Sequence, residues 1–376
     1  MRALINALIV HLTLNILFFL KGWNAFQNKK YARVILSIIL GLEFFSYLTV
    51  FIFYKNLPPN LTQTLRFLGT SWMLFLLYTC GIWLIIDLTY IIYRIIKGKP
   101  WKYSSKTLKN KIYSFLLPIV FVLIVMVIGN YKFRHPVIKH IPITINKTAN
   151  NLDSLKIAFF ADVHLGWMIN ETHLDKIIKL VDSQNPDIIL IGGDIIDSQI
   201  QPVIDRQMIN TMKKINAPLG VYACPGNHEY RFEREEKFKL INKSGIKMLR
   251  DSAVLIDSAF YIIGREDKII KNRLSLENIK KKYKINPDLP LIVLNHTPDN
   301  LSEEADAKAD LALYGHTHHG QAFPGNIATD LTFEIAHGQK TKNNTNFYVT
   351  SGIGLVGPQY RIGTVSEIVI FDIKFN

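Results

Sequence analysis

VYACPGNHE, residues 221–229, opens as an apolar run and breaks at Pro225-Gly226 into Asn227, His228 and Glu229, side chains suited to metals and protons. A run of about four to six apolar residues bounded by Gly, Pro or Asn reads as a buried strand. Working outward, four more runs have the same form. IAFF leads into Ala161-Asp162-Val163-His164, DIILIGG into Asp194, LIVL into Asn295-His296, and LALYG into His316-Thr317-His318. Ligands at the ends of several strands converge on one edge of a sheet, where open α/β folds place their sites. Between the runs, Leu174, Ile177, Ile178 and Val181 fall at helical spacing and predict a helix over 172–182. Helices over 203–215 and 234–242 and strands near 346–351 and 365–373 complete an α/β reading.

The donor chemistry defines a reaction class. Asp162 and Asp194 offer hard anionic oxygen, Asn227 an amide oxygen, and the histidines borderline nitrogen. Together they exceed what one cation needs, so a two-metal site is expected. The mixture suits Mn first, or Fe or Zn, rather than Mg or Ca with their all-oxygen shells. Two such ions roughly 3.5–4 Å apart clamp a bridging hydroxide and neutralise phosphoryl oxygens, so that the hydroxide attacks phosphorus in line with the leaving oxygen. The leaving alkoxide then needs a proton, supplied by a histidine beside the metals that does not ligate them.

DxH, GDxxD, GNHE, a lone His after a strand, and GHTH, in that order over about residues 154–374, resemble the calcineurin-like metallophosphoesterases. Five ordered motifs make the resemblance specific. It implies a four-layer αββα sandwich of two mixed sheets with helices outside. It also implies that Asp162, His164 and His318 hold one metal, that Asn227, His296 and His316 hold the other, and that Asp194 bridges them. His228 is then the proton donor. The tail from Ser351 through Pro358 to Arg361 resembles the branch that includes membrane-anchored bacterial enzymes.

Other polar residues carry two readings each. Asp197 either caps the next helix or supports a ligand, and Glu229 reads as a ligand's support or a helix start. His319 stands where close relatives usually carry Gly, and either lines the substrate entrance, accepts a hydrogen bond or is tolerated decoration. Arg361 either meets a substrate phosphate or makes a structural ion pair. The two cysteines, Cys80 and Cys224, are too few for a disulfide framework, and Cys224 reads as a small buried apolar residue.

The first third of the chain differs in kind. The 376 residues are 49% hydrophobic yet carry a net charge of +14, and those averages hide two unlike halves. Residues 3–20, 34–54, 69–93 and 112–129 are apolar stretches long enough for a bilayer core of roughly 30 Å. No small-residue cleavage site follows Leu20, so the first stretch reads as a span and not a signal peptide. Loop 94–111 holds Arg94, Lys97, Lys99, Lys102, Lys106, Lys109 and Lys111, and loop 21–33 holds Lys21, Lys29, Lys30 and Arg33. Positive-inside bias puts both in the cytoplasm, and an even number of spans then turns the catalytic domain outward. Glu43 and Asp87, inside spans, read as polar contacts between helices.

The organisation expected is a four-helix transmembrane domain over 1–130, a linker or edge strand over 131–153, and a metallophosphoesterase domain over 154–376. The function expected is metal-dependent hydrolysis of a phosphate ester or pyrophosphate by a multi-pass cell-membrane protein. Its partners are the lipid bilayer and a phosphorylated, lipid-linked or envelope substrate. The basic loops fit anionic headgroups, and without an aromatic-interleaved basic motif no nucleic-acid partner is expected. The other classes are a catalytically silent metal-binding scaffold, and a membrane sensor or transporter with an accessory phosphoesterase domain. The full ligand set speaks against the scaffold, and spans without broken helices or repeated halves speak against the transporter.

Overall fold

The computed structural model describes residues 2–53, 56–98 and 108–376. The end of the second apolar stretch at residue 54 and much of the basic loop 94–111 lie outside the described residues. The chain divides into two compact units, Met1–Gly129 and Asn130–Asn376.

The first unit is built from α1 (Arg2–Ala25), α2 (Lys30–Phe53), α3 (Pro59–Ile96) and most of α4 (Leu108–Arg134). Each of these helices contains a segment long and apolar enough to cross a membrane. At 1.5 Å per residue, the 38 residues of α3 far exceed what a bilayer core requires. The helix faces sort by chemistry. Phe18 of α1 packs its ring 5.4–5.7 Å from those of Trp72, Phe75 and Trp83 of α3 and Phe115 of α4. Outward-facing side chains such as Ile85 and Val127 stay exposed. The two acidic residues make the interhelical contacts expected of them: Glu43 lies 3.2 Å from His11, and Asp87 lies 2.5 Å from Lys21.

The second unit holds two six-stranded sheets. The first runs in the order β1 (Val137–Ile145), β12 (Glu367–Phe375), β2 (Ser154–Phe160), β3 (Ile188–Ile191), β4 (Val221–Ala223), β5 (Lys247–Met248). The second runs β10 (Gly338–Lys342), β11 (Thr345–Val349), β9 (Leu311–Tyr314), β8 (Leu291–Leu294), β7 (Phe260–Gly264), β6 (Ser252–Ile256). Strands β2, β3 and β4 are parallel, as are β7, β8, β9 and β11, so the strand ends that carry the motifs lie together.

Burial on both faces explains the uninterrupted apolar runs. Phe159, Leu190, Ile262 and Leu313 join one core between the sheets. On the outer side of the first sheet, Ile189 and Ile191 pack with α5 (Glu171–Asp182) through Leu174, Ile177 and Val181. On the outer side of the second, Val293 and Ala312 pack with α9 (Leu276–Lys282) and α10 (Leu301–Asp306). Helix, sheet, sheet, helix is the resulting order of layers. The helix expected over 203–215 is instead two short ones, α6 (Gln201–Asp205) and α7 (Met208–Met212), because Gln207 between them takes a left-handed φ of 50°. α8 (Arg234–Lys243) follows the GNHE segment, and α11 (Gly325–Thr332) follows GHTH. Residues 137–145 are an edge strand, paired in parallel with β12.

Candidate metal centre

The donors predicted from sequence meet where the ends of β2, β3, β4, β8 and β9 come together. His164 Nε2 and His318 Nε2 stand 3.1 Å apart, and Asp162 Oδ1 lies 3.7 Å from the latter. His316 Nδ1 lies 3.0 Å from Asn227 Oδ1 and 3.2 Å from His296 Nε2. Asp194 sits between these groups, its Oδ2 3.2 Å from His296 Nε2 and 3.7 Å from His164 Nε2. All seven residues are thus gathered, and Asp162, His164, Asp194 and His296 are buried.

The backbone is bent to achieve this. Asp162, His164, Asp194, His316 and His318 all take left-handed φ between 49° and 71°. A non-glycine residue there costs about 1–3 kcal/mol and persists only where the surroundings impose it, a pattern concentrated at functional sites. The motif glycines supply clearance. A Cβ on Gly226 would fall 2.2 Å from Asp194 Oδ1, and one on Gly315 would fall 2.7 Å from Asp162 Oδ2.

The electrostatics are those of a cation hole. Burial pushes the Asp162 carboxyl up, offset in part by His296. Burial acts the same way on Asp194, yet His296, His164 and His228 hold it well below the carboxylate range. His296 is raised to about 10, the two aspartates overcoming its burial. Burial and the neighbouring His296 lower His316 to about 3. Carboxylate and amide oxygens and imidazole nitrogens from several loops crowd one small volume, and that crowding is what a divalent cation relieves. The mixed oxygen and imidazole set fits Mn, Fe or Zn. His296 Nδ1 donates to Gly192 O at 2.7 Å, which leaves Nε2 free to point inward.

His228 is engaged differently. Its Nδ1 lies 2.7 Å from Asp197 Oδ1, and Arg231 donates to its Nε2 at 2.8 Å. Although His228 stands near His164 and Asp194, both ring nitrogens have other partners. Asp197 therefore supports the site and caps no helix; α6 starts later, without a side-chain cap. Glu229 is fully buried and accepts backbone N–H bonds from Asp194, Ile195, Ile196 and Gly226, which ties two ligand loops together. Burial, then Asp194, raises its carboxyl to about 7.

Arg361 is buried too, and its guanidinium donates to the carbonyls of His318, Gly352 and Gly354, clamping the loops; among the described residues it forms no ion pair with a carboxylate. His319 stacks on His337 at 4.7 Å and lies 3.6 Å from Asp330 of α11. Two residues escaped sequence reading. Arg231 follows the GNHE motif closely, and Lys237 is buried one helical turn into α8, donating to the carbonyls of His228 and Arg231. Neither carries a spacing pattern; only the proximity of Arg231 to the motif was a signal.

Two sheets that bring Asp and His side chains together at parallel strand ends make this a metallophosphoesterase, a phosphoric ester hydrolase. The chain belongs to the calcineurin-like phosphoesterase family, whose match covers residues 155–320. An uncharacterized metallophosphoesterase of Campylobacter jejuni is 31% identical over 279 residues, 71% of this chain and 73% of that one. A Danio rerio protein described as a transmembrane protein with a metallophosphoesterase domain is 26% identical over 365 residues, 91% of this chain and 80% of its own. Among solved structures, a 5'-nucleotidase precursor from Thermus thermophilus aligns with a TM-score of 0.37 and 11% identity, covering 59% of this chain and 54% of that chain; the likeness is too distant to bear on function.

Proposed function

We propose that the protein is a membrane-tethered phosphoesterase that works with two divalent cations, Mn first, on a lipid-linked or envelope phosphate ester or pyrophosphate outside the cytoplasm. Asp162, His164 and His318 would hold one cation and Asn227, His296 and His316 the other. The observation that carries this reading is the position of Asp194, whose Oδ2 is within 3.7 Å of an imidazole nitrogen of each group. Cations there would polarise the phosphoryl oxygens and acidify the attacking water.

The chain's own residues supply the rest. His228 is held by Asp197 at Nδ1, so Nε2 is the atom that would meet the leaving oxygen; it accepts from Arg231 here, and it would take up a proton and give up that bond to act as the acid. Arg231, beside that nitrogen, adds positive charge where the phosphate enters. The lipid-linked substrate is supported by the four apolar helices and by the two residues that separate α4 from β1.

The test uses full-length protein in detergent, stripped and reloaded with manganese. Metal analysis should give two equivalents, reduced in Asp194→Asn. Turnover of a chromogenic monoester or diester, phosphatidic acid or a UDP-linked acylated sugar should fall in His228→Ala. Wild-type turnover in Asp194→Asn would refute the site. Hydrolysis of soluble esters alone would refute the lipid-linked substrate.

A further inference from the structure

The topology of the second unit fixes the edge at which its first residues, from Asn130 onward, enter. β1 is parallel to β12, and β12 is antiparallel to β2, so the start of β1 and the end of β2 share an edge of the sheet. The end of β2 leads into Asp162 and His164. The last turn of α4, which belongs to this unit from Asn130 onward, is therefore delivered to the edge that holds the candidate metal centre. Contacts within the unit agree. Phe133 is buried in the core beneath α5, and Asn130 donates to Gln359 O at 2.8 Å. Two residues beyond Gln359, Arg361 donates to the carbonyl of His318.

The same edge carries exposed apolar side chains. Phe232 follows β4, Ile269 follows β7, and Phe323, Ile327 and Leu331 follow β9; each is 48–84% exposed. α11, which contributes two of them, buries none of its residues. Cationic groups stand among them: Arg231, which donates to His228, precedes Phe232 in the chain, and Lys268 precedes Ile269. An apolar rim interleaved with cations suits an interface of acyl chains and anionic headgroups.

We propose that this edge, with Phe232, Ile269, Phe323, Ile327 and Leu331, is a docking surface for an anionic lipid bilayer, so that the metal centre opens onto the membrane plane. The inference rests on the membrane-tethered reading above and deepens it. Docked this way, the enzyme takes its phosphoester from the headgroup layer.

The test reads position and not catalysis. Cys80 and Cys224 are both buried, so a cysteine introduced at the surface can be labelled selectively. Leu331→Cys and, as control, Leu255→Cys would carry an environment-sensitive fluorophore in full-length protein placed in nanodiscs of zwitterionic lipid with an anionic fraction. Leu255 is exposed on β6 opposite Tyr261, at the far end of β7 from the site. Lipids doxyl-labelled near the headgroup should quench about half or more of the emission at 331 and leave 255 unchanged. Equal, solvent-like emission at both positions overturns the proposal. So does a blue shift at 331 that appears only in discs holding two copies, which would assign the rim to a second chain. Quenching at 331 without turnover of any bilayer phosphoester keeps the surface and refutes the lipid-linked substrate. Turnover of a bilayer phosphoester with 331 unquenched does the reverse.

Discussion

At the scale of single residues, the sharpest division is between side chains that face the metal centre and those that aim them. Asp197 is the test of that division. Its carboxylate holds His228 Nδ1 at 2.7 Å and lies 3.7 Å from His164 Nδ1. Asp197→Asn keeps the shape but not the acceptor pair, so His228 loses the partner that fixes its tautomer. Turnover should fall roughly a hundredfold, with two equivalents of metal retained. Wild-type turnover in that variant would remove His228 from proton transfer. The seven donors were legible because each closes an apolar run at a motif spacing. The role of Asp197 was not. Its place three residues after Asp194 suits a helix cap as well as a support, and only the path of the loop after β3 decides. Arg231 was invisible for a simpler reason, since one arginine on a loop has no period.

Elements show where local pattern suffices and where the tertiary frame intervenes. α5 was legible from its apolar spacing, and Asn170 caps it by accepting the His173 N–H. The 203–215 segment was misread as one helix, because nothing in its composition announces the left-handed Gln207 that turns the chain. β10, GQKTK, escaped because a polar edge strand lacks the apolar run that marks β2 or β8; β5, β6 and β7 escaped as well.

His173 of α5 makes a further prediction. Its ring stacks on Phe133 at 4.6 Å, and burial, followed by Lys176 and Arg134, lowers it to about 4. The imidazole is thus neutral in the fold, while an unfolded histidine titrates near 6.5. Between those values the unfolded chain binds the extra proton, so stability is full above about 6.5 and declines as pH falls towards about 4. The loss should approach about 3 kcal/mol. In full-length protein, the thermal midpoint of His173→Phe should depend less steeply on pH across that window than the wild type. Identical slopes would show that His173 is not kept neutral.

On the scale of the whole molecule, two solvents shape one chain. The first unit encloses Phe18, Phe75, Trp83 and Phe115 and the His11–Glu43 contact between helices and leaves many aliphatic side chains exposed. The second does the opposite, with apolar faces enclosed on both sides of each sheet. That contrast was legible from composition alone. The pairing of β1 with β12 was not, since it joins residues 230 positions apart and leaves no local trace. Orientation is a property of this scale too. The basic loops 21–33 and 94–111 should lie in the cytoplasm and the second unit outside it. A reporter active only outside the cytoplasm should therefore work when fused after residue 376 and fail when fused within loop 94–111. The reverse pattern would turn the protein over.

The place of β12 also bears on how the protein is made. It lies between β1 and β2, yet it is synthesised after every other strand of both sheets. Until it emerges, the first sheet has a gap in its middle, and β1 has no neighbour with which to share hydrogen bonds. The helices precede it in the chain and can enter the bilayer as they leave the ribosome. If the unit lies across the membrane, as proposed, its first sheet would close only after the last strand has crossed.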